Sequence, residues 1–81
     1  MNHTPMIKID LKLFVTLAKY HPHGGGMHEV QEGTCVDDLV RALNIPRETV
    51  KLIFINGRKA EGDQILADGD RLGLFPPVGG G

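Results

Sequence analysis

Only one stretch of this chain has the spacing of a helix able to cover a core. Val36, Leu39, Val40 and Leu43 fall at i, i+3, i+4 and i+7 and form a single apolar stripe. Elsewhere the apolar residues alternate with polar ones or come in short runs, the longest being Leu52 to Ile55. With no second helix of similar length to pack against, the stripe must be buried on a sheet built from the rest of the 81 residues. A chain of this length has room for one core. Its 41% hydrophobic and 23% charged residues are those of a globular domain and not of a disordered segment.

The helix is expected over Cys35 to Leu43. Thr34 stands at the N-cap position with Asp37 three residues on, a variant of the capping box. Asp37 and Asp38 suit the positive end of the helix dipole, Asn44 can take the terminal left-handed position, and Pro46 stops the helix. Before it, Ile7, Ile9, Leu11 and Leu13 alternate with Lys8, Asp10 and Lys12, which is a strand with one buried and one wet face. Phe14 continues the wet face. Thr16 to Tyr20 is expected as one helical turn, Pro22 to Gly26 as a loop, and Met27 to Gln31 as a second strand in a hairpin with the first.

After the helix, Val50 to Ile55 is expected as a third strand. Asn56-Gly57 then closes a two-residue hairpin, because a type I′ turn needs positive φ at both central positions. Arg58 to Ala60 returns as a short charged edge strand. Ile65 and Leu66 are expected to add core side chains before the turn Asp68-Gly69-Asp70. Arg71 to Phe75 is the last strand, with Leu72 and Leu74 facing inward and Gly73 and Phe75 outward. Pro76-Pro77 cannot donate ladder hydrogen bonds, so pairing ends there. Strand, strand, helix, strand, short strand, strand is the α+β order of a β-grasp (ubiquitin-like) fold, a mixed four- to five-stranded sheet with one main helix on one face. The expected boundaries are residues 1–75 for the domain, with 1–5 as a frayed leader, and 76–81 for a flexible Pro-Pro-Val-Gly-Gly-Gly tail.

Composition excludes several functions. A formal net charge of −1 argues against a nucleic-acid binder, which needs a basic surplus to displace counterions. No apolar run is long enough for a membrane span or a signal-peptide core, so the expected location is the cytoplasm. One cysteine, Cys35, cannot form an internal disulfide and is expected as a small buried apolar residue. His21, His23 and His28 surround the Gly24-Gly25-Gly26 loop and are expected as exposed loop histidines, with no carboxylate or thiol placed to complete a metal site. That glycine run lacks the Lys-Ser/Thr and helix start of a phosphate loop. No nucleophile–base pair, carboxylate pair or cofactor motif can be assembled, so the chain is expected not to be an enzyme.

The glycines are the compositional excess, 11 in 81, and three of them are Gly79, Gly80 and Gly81. A Gly-Gly ending can enter a channel too narrow for any other residue. The reactive group is then the α-carboxylate of Gly81, inert to sulfur or amine nucleophiles until activated, for example as an acyl-adenylate. Pro76-Pro77 would stiffen the base of such a tail. On the face away from the helix, Phe14, Phe54 and Phe75 are expected to form an exposed apolar patch, the usual mark of a partner surface.

The segment Asp68 to Gly81, with its aromatic-Pro-Pro-Val-x-Gly-Gly ending, resembles the C-terminus of the MoaD/ThiS family of ubiquitin-like sulfur carriers. Ile55-Asn56-Gly57 resembles that family's hydrophobic-Asn-Gly hairpin, and Leu13-Phe14 to Tyr20 its first strand and turn. The resemblance covers residues 6–81 and is closer to the molybdopterin-synthase small subunit than to the thiamine branch, although the third tail glycine, Gly79, departs from that pattern. The resemblance implies activation of Gly81, preceded by Gly80, by an ATP-dependent, ubiquitin-activating-enzyme-like adenylyltransferase. Conversion to a thiocarboxylate follows, and then sulfur delivery to an acceptor synthase of the molybdopterin-synthase large-subunit or thiazole-synthase type. Phe14, Phe54, Phe75, Pro76, Pro77, Val78 and Gly79 would contact these partners. No cofactor would be bound by the chain itself, ATP being used by the activating partner. Two alternatives remain open: a ubiquitin-like modifier joined to lysines through Gly81, and a β-grasp interaction domain with an inert tail.

Overall fold

The computed structural model describes residues 5–77. Five strands form one sheet: β1 (Met6–Leu13), β2 (Gly26–Gln31), β3 (Leu52–Ile55), β4 (Arg58–Lys59) and β5 (Arg71–Phe75). The order across the sheet is β2-β1-β5-β3-β4. The last strand thus lies in the middle, parallel to β1 and antiparallel to β3, while the other pairs are antiparallel. A single α-helix, α1 (Val36–Ala42), covers one face. This is the mixed five-stranded sheet with one main helix that the order of elements implies.

The alternation in β1 translates directly into burial. Ile9 and Leu11 are fully buried, Ile7 and Leu13 nearly so, and the residues between them face outward or sit at intermediate depth. Leu72 and Leu74 of β5 lie directly beside Leu11 and Leu13, so the two central strands present one continuous apolar floor. Val36, Leu39 and Val40 of α1 close over it. Leu43 is only partly buried against this core.

Three local expectations need correction. Thr34 is not the N-cap; Cys35 is, and the Asp38 carboxylate accepts the Cys35 N–H at 3.5 Å. The reason lies in the segment before β5. The Leu66 N–H donates to the Thr34 carbonyl at 2.9 Å beside the extended Cys35–Ile65 bridge, which delays the helix by one residue. The first two helical N–H groups, of Val36 and Asp37, then donate to the carbonyls of Gln64 at 3.1 Å and Gly62 at 2.8 Å. Backbone from a distant loop does the work expected of the Thr34 side chain. A Cβ at Gly62 would displace the Asp37 carboxylate from its present position. Asp37, no longer a capping partner, instead accepts from Arg47 Nε at 2.8 Å.

Ile65 does not join the core. It is 52% exposed, because Cys35 and Ile65 form an extended bridge in which Leu66 turns inward and its neighbour turns out. The third strand begins at Leu52 and not Val50, since Arg47–Thr49 forms a 3-10 turn held by the Thr49 hydroxyl donating to the Pro46 carbonyl at 2.6 Å. Val50 is still buried. The helical turn expected at Thr16–Tyr20 is a 3-10 helix over Val15–Tyr20.

The Asn56-Gly57 hairpin forms as the sequence implies, with φ of 55° and 83° and Ile55 paired to Arg58. Asn56 also ties the turn to the central strand. Its amide donates to Asp70 Oδ1 at 2.9 Å and its carbonyl accepts the Arg71 N–H at 3.0 Å. Asn56→Ala removes both bonds and places a Cβ-bearing residue without an amide in the left-handed region, so a loss of about 1–3 kcal/mol is expected. Asn56→Gly keeps the backbone conformation and loses only the bonds, so it should cost less. Thermal denaturation of both variants checks the order, at about 4–8 °C per kcal/mol for a domain of this size.

Candidate functional site: an aromatic cleft at the root of the tail

β1 ends where the Phe14 N–H donates to the Leu74 carbonyl at 3.1 Å. The next residue, Val15, has φ of 54° and turns the chain away into the 3-10 helix. That turn leaves Phe14 on the face opposite α1 at 36% exposure. Phe75 reaches the same face by alternation along β5, and Phe54 does so from β3, where it lies opposite Gly73. The Phe14 and Phe75 rings stack with centroids 4.2 Å apart and planes 5° from parallel. Phe54 meets Phe75 edge-on at 5.6 Å.

Gly73 forms the floor between these rings. A Cβ there would touch the rings of Phe14 and Phe75 at 3.4 and 3.5 Å, so any longer side chain would fill the space above it. The result is an open cleft of about 420 Å³ lined by Lys12, Phe14, Phe54, Gly57, Arg71, Leu72, Gly73 and Phe75. Its apolar walls carry a cationic rim from Lys12 and Arg71, and Lys59 lies directly opposite Phe54 in the hairpin. Asp70, beside Arg71 in sequence, is occupied by the Asn56 amide and by the Ala67 N–H, the latter at 2.8 Å, and Asp10 is the register partner of Arg71 on the neighbouring strand. The rim was legible: Lys12 and Arg71 share the outward parity of Phe14 and Phe75. The role of Gly73 was not, because a mid-strand glycine gives no sign of which rings will flank it.

The cleft adjoins the exit of the chain from the sheet. The Phe75 carbonyl accepts the Lys51 N–H at 2.7 Å, and strand pairing stops before the half-buried Pro76 and the exposed Pro77. The remaining site residues named from sequence, Val78, Gly79, Gly80 and Gly81, lie outside the described residues, as do the first four of the expected leader.

His23 is exposed as expected, but His21 and the half-buried His28 of β2 depart from expectation. His21 is buried, with 8% of its surface exposed. Its Nε2 lies 3.1 Å from the Leu11 carbonyl, and its Nδ1 accepts the His23 N–H at 3.0 Å. The polar ring is drawn inward because both nitrogens find backbone partners, which no residue count reveals. Among the described residues no group of three or more His, Cys, Asp or Glu side chains is arranged to hold a metal ion. Cys35, expected to be buried, is half-buried because it sits at the helix cap. Among the described residues no helix is long and apolar enough to cross a membrane.

Comparison with known proteins agrees with this arrangement. The Haloferax volcanii HVO 2177 protein superposes with a TM-score of 0.77, covering 100% of this chain and 92% of that one at 22% identity, a likeness of fold. SAMP1, the small archaeal modifier protein 1 of Haloferax volcanii, is 28% identical with a TM-score of 0.66 over 91% of this chain and 99% of its own. A Pyrococcus furiosus protein described as a molybdopterin converting factor subunit 1 is also 28% identical, with a TM-score of 0.61 over 89% of this chain and 99% of that one. A search of curated proteins gives no match. The ThiS family model matches residues 11–81, from the middle of β1 through the glycine tail, and the chain belongs to the ThiS family of ubiquitin-like proteins.

Proposed function

We propose that this protein is a cytoplasmic sulfur carrier that works as a co-substrate and has no catalytic site of its own. In this reading a carboxylate oxygen of Gly81 attacks the α-phosphate of ATP on an activating enzyme, releasing pyrophosphate and leaving an acyl-adenylate. A sulfur nucleophile then displaces AMP, and the resulting thiocarboxylate gives its sulfur to an acceptor synthase. Membership of the ThiS family and the aromatic-Pro-Pro-Val-x-Gly-Gly ending support it, and the ending favours a molybdopterin or tungstopterin acceptor over a thiazole or cysteine precursor.

The observation that carries the reading is the position of the tail's root. β5 is a central strand, so the chain leaves the sheet beside the aromatic cleft and not from a loose corner. A partner gripping Phe14, Phe54 and Phe75 holds the point from which Pro76-Pro77 projects, and needs only a short channel to receive Val78, Gly79, Gly80 and Gly81. The cationic rim at Lys12 and Arg71 favours a partner face with apolar side chains at its centre and carboxylates around them.

A second reading has specific support in the 28% identity to SAMP1, whose name describes a modifier. Activation is shared, and the readings part at the nucleophile: sulfur in one, a lysine amine in the other. Incubation with an activating enzyme, ATP and a sulfur donor, followed by intact mass spectrometry, separates them. One oxygen replaced by one sulfur is the expected product, whereas a ladder of lysine conjugates establishes the modifier. If deleting Gly80-Gly81 leaves function intact in a folded protein, the tail is inert and both readings fail.

Docking at the cleft makes a separate prediction. Phe75→Ala and Phe54→Ala should each weaken binding to the activating enzyme by at least about tenfold, since truncating a central aromatic anchor costs on the order of 2 kcal/mol. Within the free protein, a Phe14/Phe75 double-mutant cycle should give a coupling of about 0.5–1.5 kcal/mol from the stacked pair. Unchanged adenylation and unchanged pull-down in the Phe54/Phe75 double variant would remove the cleft from the docking face.

A further inference from the structure

The two edges of the sheet are built differently. β4 forms one of them with only two residues, Arg58 and Lys59, both exposed and both basic. Short, charged edges of this kind resist pairing with another chain. β2 forms the other edge. It runs for six residues with no proline, lysine or arginine, and its one carboxylate is Glu29.

The phase of the ladder tells which backbone groups β2 leaves free. On the β5 side of β1, the Lys8 carbonyl accepts the Gly69 N–H at 2.7 Å and the Asp10 N–H donates to the Asp70 carbonyl at 2.8 Å. Successive strand residues point their N–H and C=O to alternate sides, so the odd-numbered residues of β1 bond to β2. The Glu32 N–H on the Pro5 carbonyl, at 2.9 Å, continues that phase. Ile7, Ile9 and Leu11 stand opposite Val30, His28 and Gly26, which therefore make the bonds to β1. Met27, Glu29 and Gln31 turn their backbone groups to the outer side. There the Gln31 carbonyl accepts the Thr34 N–H at 3.1 Å. The three N–H groups and the carbonyls of Met27 and Glu29 have no backbone partner among the described residues. Donors and acceptors in such a row fit extended backbone.

The side chains around this edge limit what the added strand can carry. Residues set opposite His28 and Val30 fall on the helix side, beside an open groove of about 450 Å³ whose lining includes Val30, Leu39 and Ala42. Apolar side chains suit those positions. A residue set opposite Glu29 falls on the other face. Glu29 is exposed, forms no ion pair among the described residues, and has Lys8 opposite it on the β1 side. A cation on the free side completes an alternating row, whereas a carboxylate would face Glu29 directly.

A second copy of this chain fits poorly. Two β2 strands joined about a twofold axis pair antiparallel with their outer faces on the same side. Centring that pair on Glu29 sets two carboxylates opposite each other. Centring it on His28 brings together two half-buried imidazoles whose Nδ1 atoms are already buried without a partner. A strand from a different chain meets neither obstacle.

We propose that the β2 edge is a second docking site, which takes an extended segment of a partner protein as a sixth strand, with apolar side chains toward α1 and a lysine or arginine opposite Glu29. No residue of β2 lines the aromatic cleft, so the edge can be occupied while Phe14, Phe54 and Phe75 are engaged elsewhere. The site does not rest on the sulfur-carrier reading.

Nuclear magnetic resonance of the full chain with a capped peptide, Ser-Thr-Val-Lys-Val-Thr-Ser, tests it directly. Saturating peptide should raise hydrogen-exchange protection at the Met27 and Glu29 amides by at least about tenfold, while the His28 and Val30 amides, already in the ladder, change little. The same peptide N-methylated at its lysine and both threonines keeps every side chain and loses the donors that face β2, so it should not bind. Glutamate in place of the peptide's lysine should weaken binding at least about threefold, and Glu29→Lys should reverse that preference. Met27→Pro removes an outward N–H and no bond to β1, and should weaken binding while the fold persists. Unchanged Met27 and Glu29 amides at millimolar peptide overturn the proposal, as does equal binding of the N-methylated peptide. Indifference to the lysine-to-glutamate change overturns the stated chemistry of the segment. Protection of the same amides that rises with protein concentration alone makes a second copy the occupant and overturns the proposal too. Phe75→Ala should leave peptide binding unchanged, so the edge and the cleft can fail separately.

Discussion

The aromatic cleft and the exit of the chain from the sheet both depend on the parallel pairing of β1 with β5. Leu11 beside Leu72 and Leu13 beside Leu74 put the beginning and end of the described chain side by side at the centre of the sheet. Parallel neighbours cannot be joined by a tight turn, so the hairpin, helix and second hairpin between them form the connection that a parallel pair requires. The helix lands on one face because that connection must cross it. The other face is left open, and the same two strands supply most of its aromatic cleft.

This division explains how a small domain keeps an apolar patch in water without losing its core. On β1 and β5 one parity of residues is committed to α1 and the other carries Lys8, Asp10, Lys12, Phe14, Arg71, Gly73 and Phe75. Rings and charges are interleaved on the outer parity. The stacked Phe14–Phe75 pair hides part of its own surface, which lowers the cost of exposure while leaving ring edges available to a partner. Gly73 keeps the floor beside the rings open, since a Cβ there would already touch both of them. A single residue with no chemistry of its own thus shapes the cleft.

Much of this was legible in the sequence because it depends on short-range periodicity. The parity of β1 and β5, the stripe on α1 and the Asn56-Gly57 turn are statements about neighbours a few residues apart, and each holds. The helix cap failed for the opposite reason. Thr34 has the local chemistry of a cap, yet its carbonyl is claimed by Leu66, 32 positions away, and the helix starts one residue later. Ile65 and Val50 show the same effect: hydrophobicity marks them for burial, but the bridge at Cys35 exposes one and the 3-10 turn moves the other out of its strand. His21 is the clearest case. Its burial depends on a backbone carbonyl ten residues earlier in the chain and on the N–H of His23, so no pattern of residue types could announce it.

The rigidity of the root also decides what the tail can achieve. In the proposed reading a terminal carboxylate is delivered into a partner's site, and each loosely held residue between a docking surface and that carboxylate would add to the conformational entropy lost on binding. Phe75 is held by the ladder to β3, by the Lys51 N–H on its carbonyl, and by ring contacts to Phe14 and Phe54. Two prolines follow, each with its φ set by its own ring, so restriction continues past the last hydrogen bond. In the proposed reading, the fold fixes the aromatic surface together with the residue from which the tail departs.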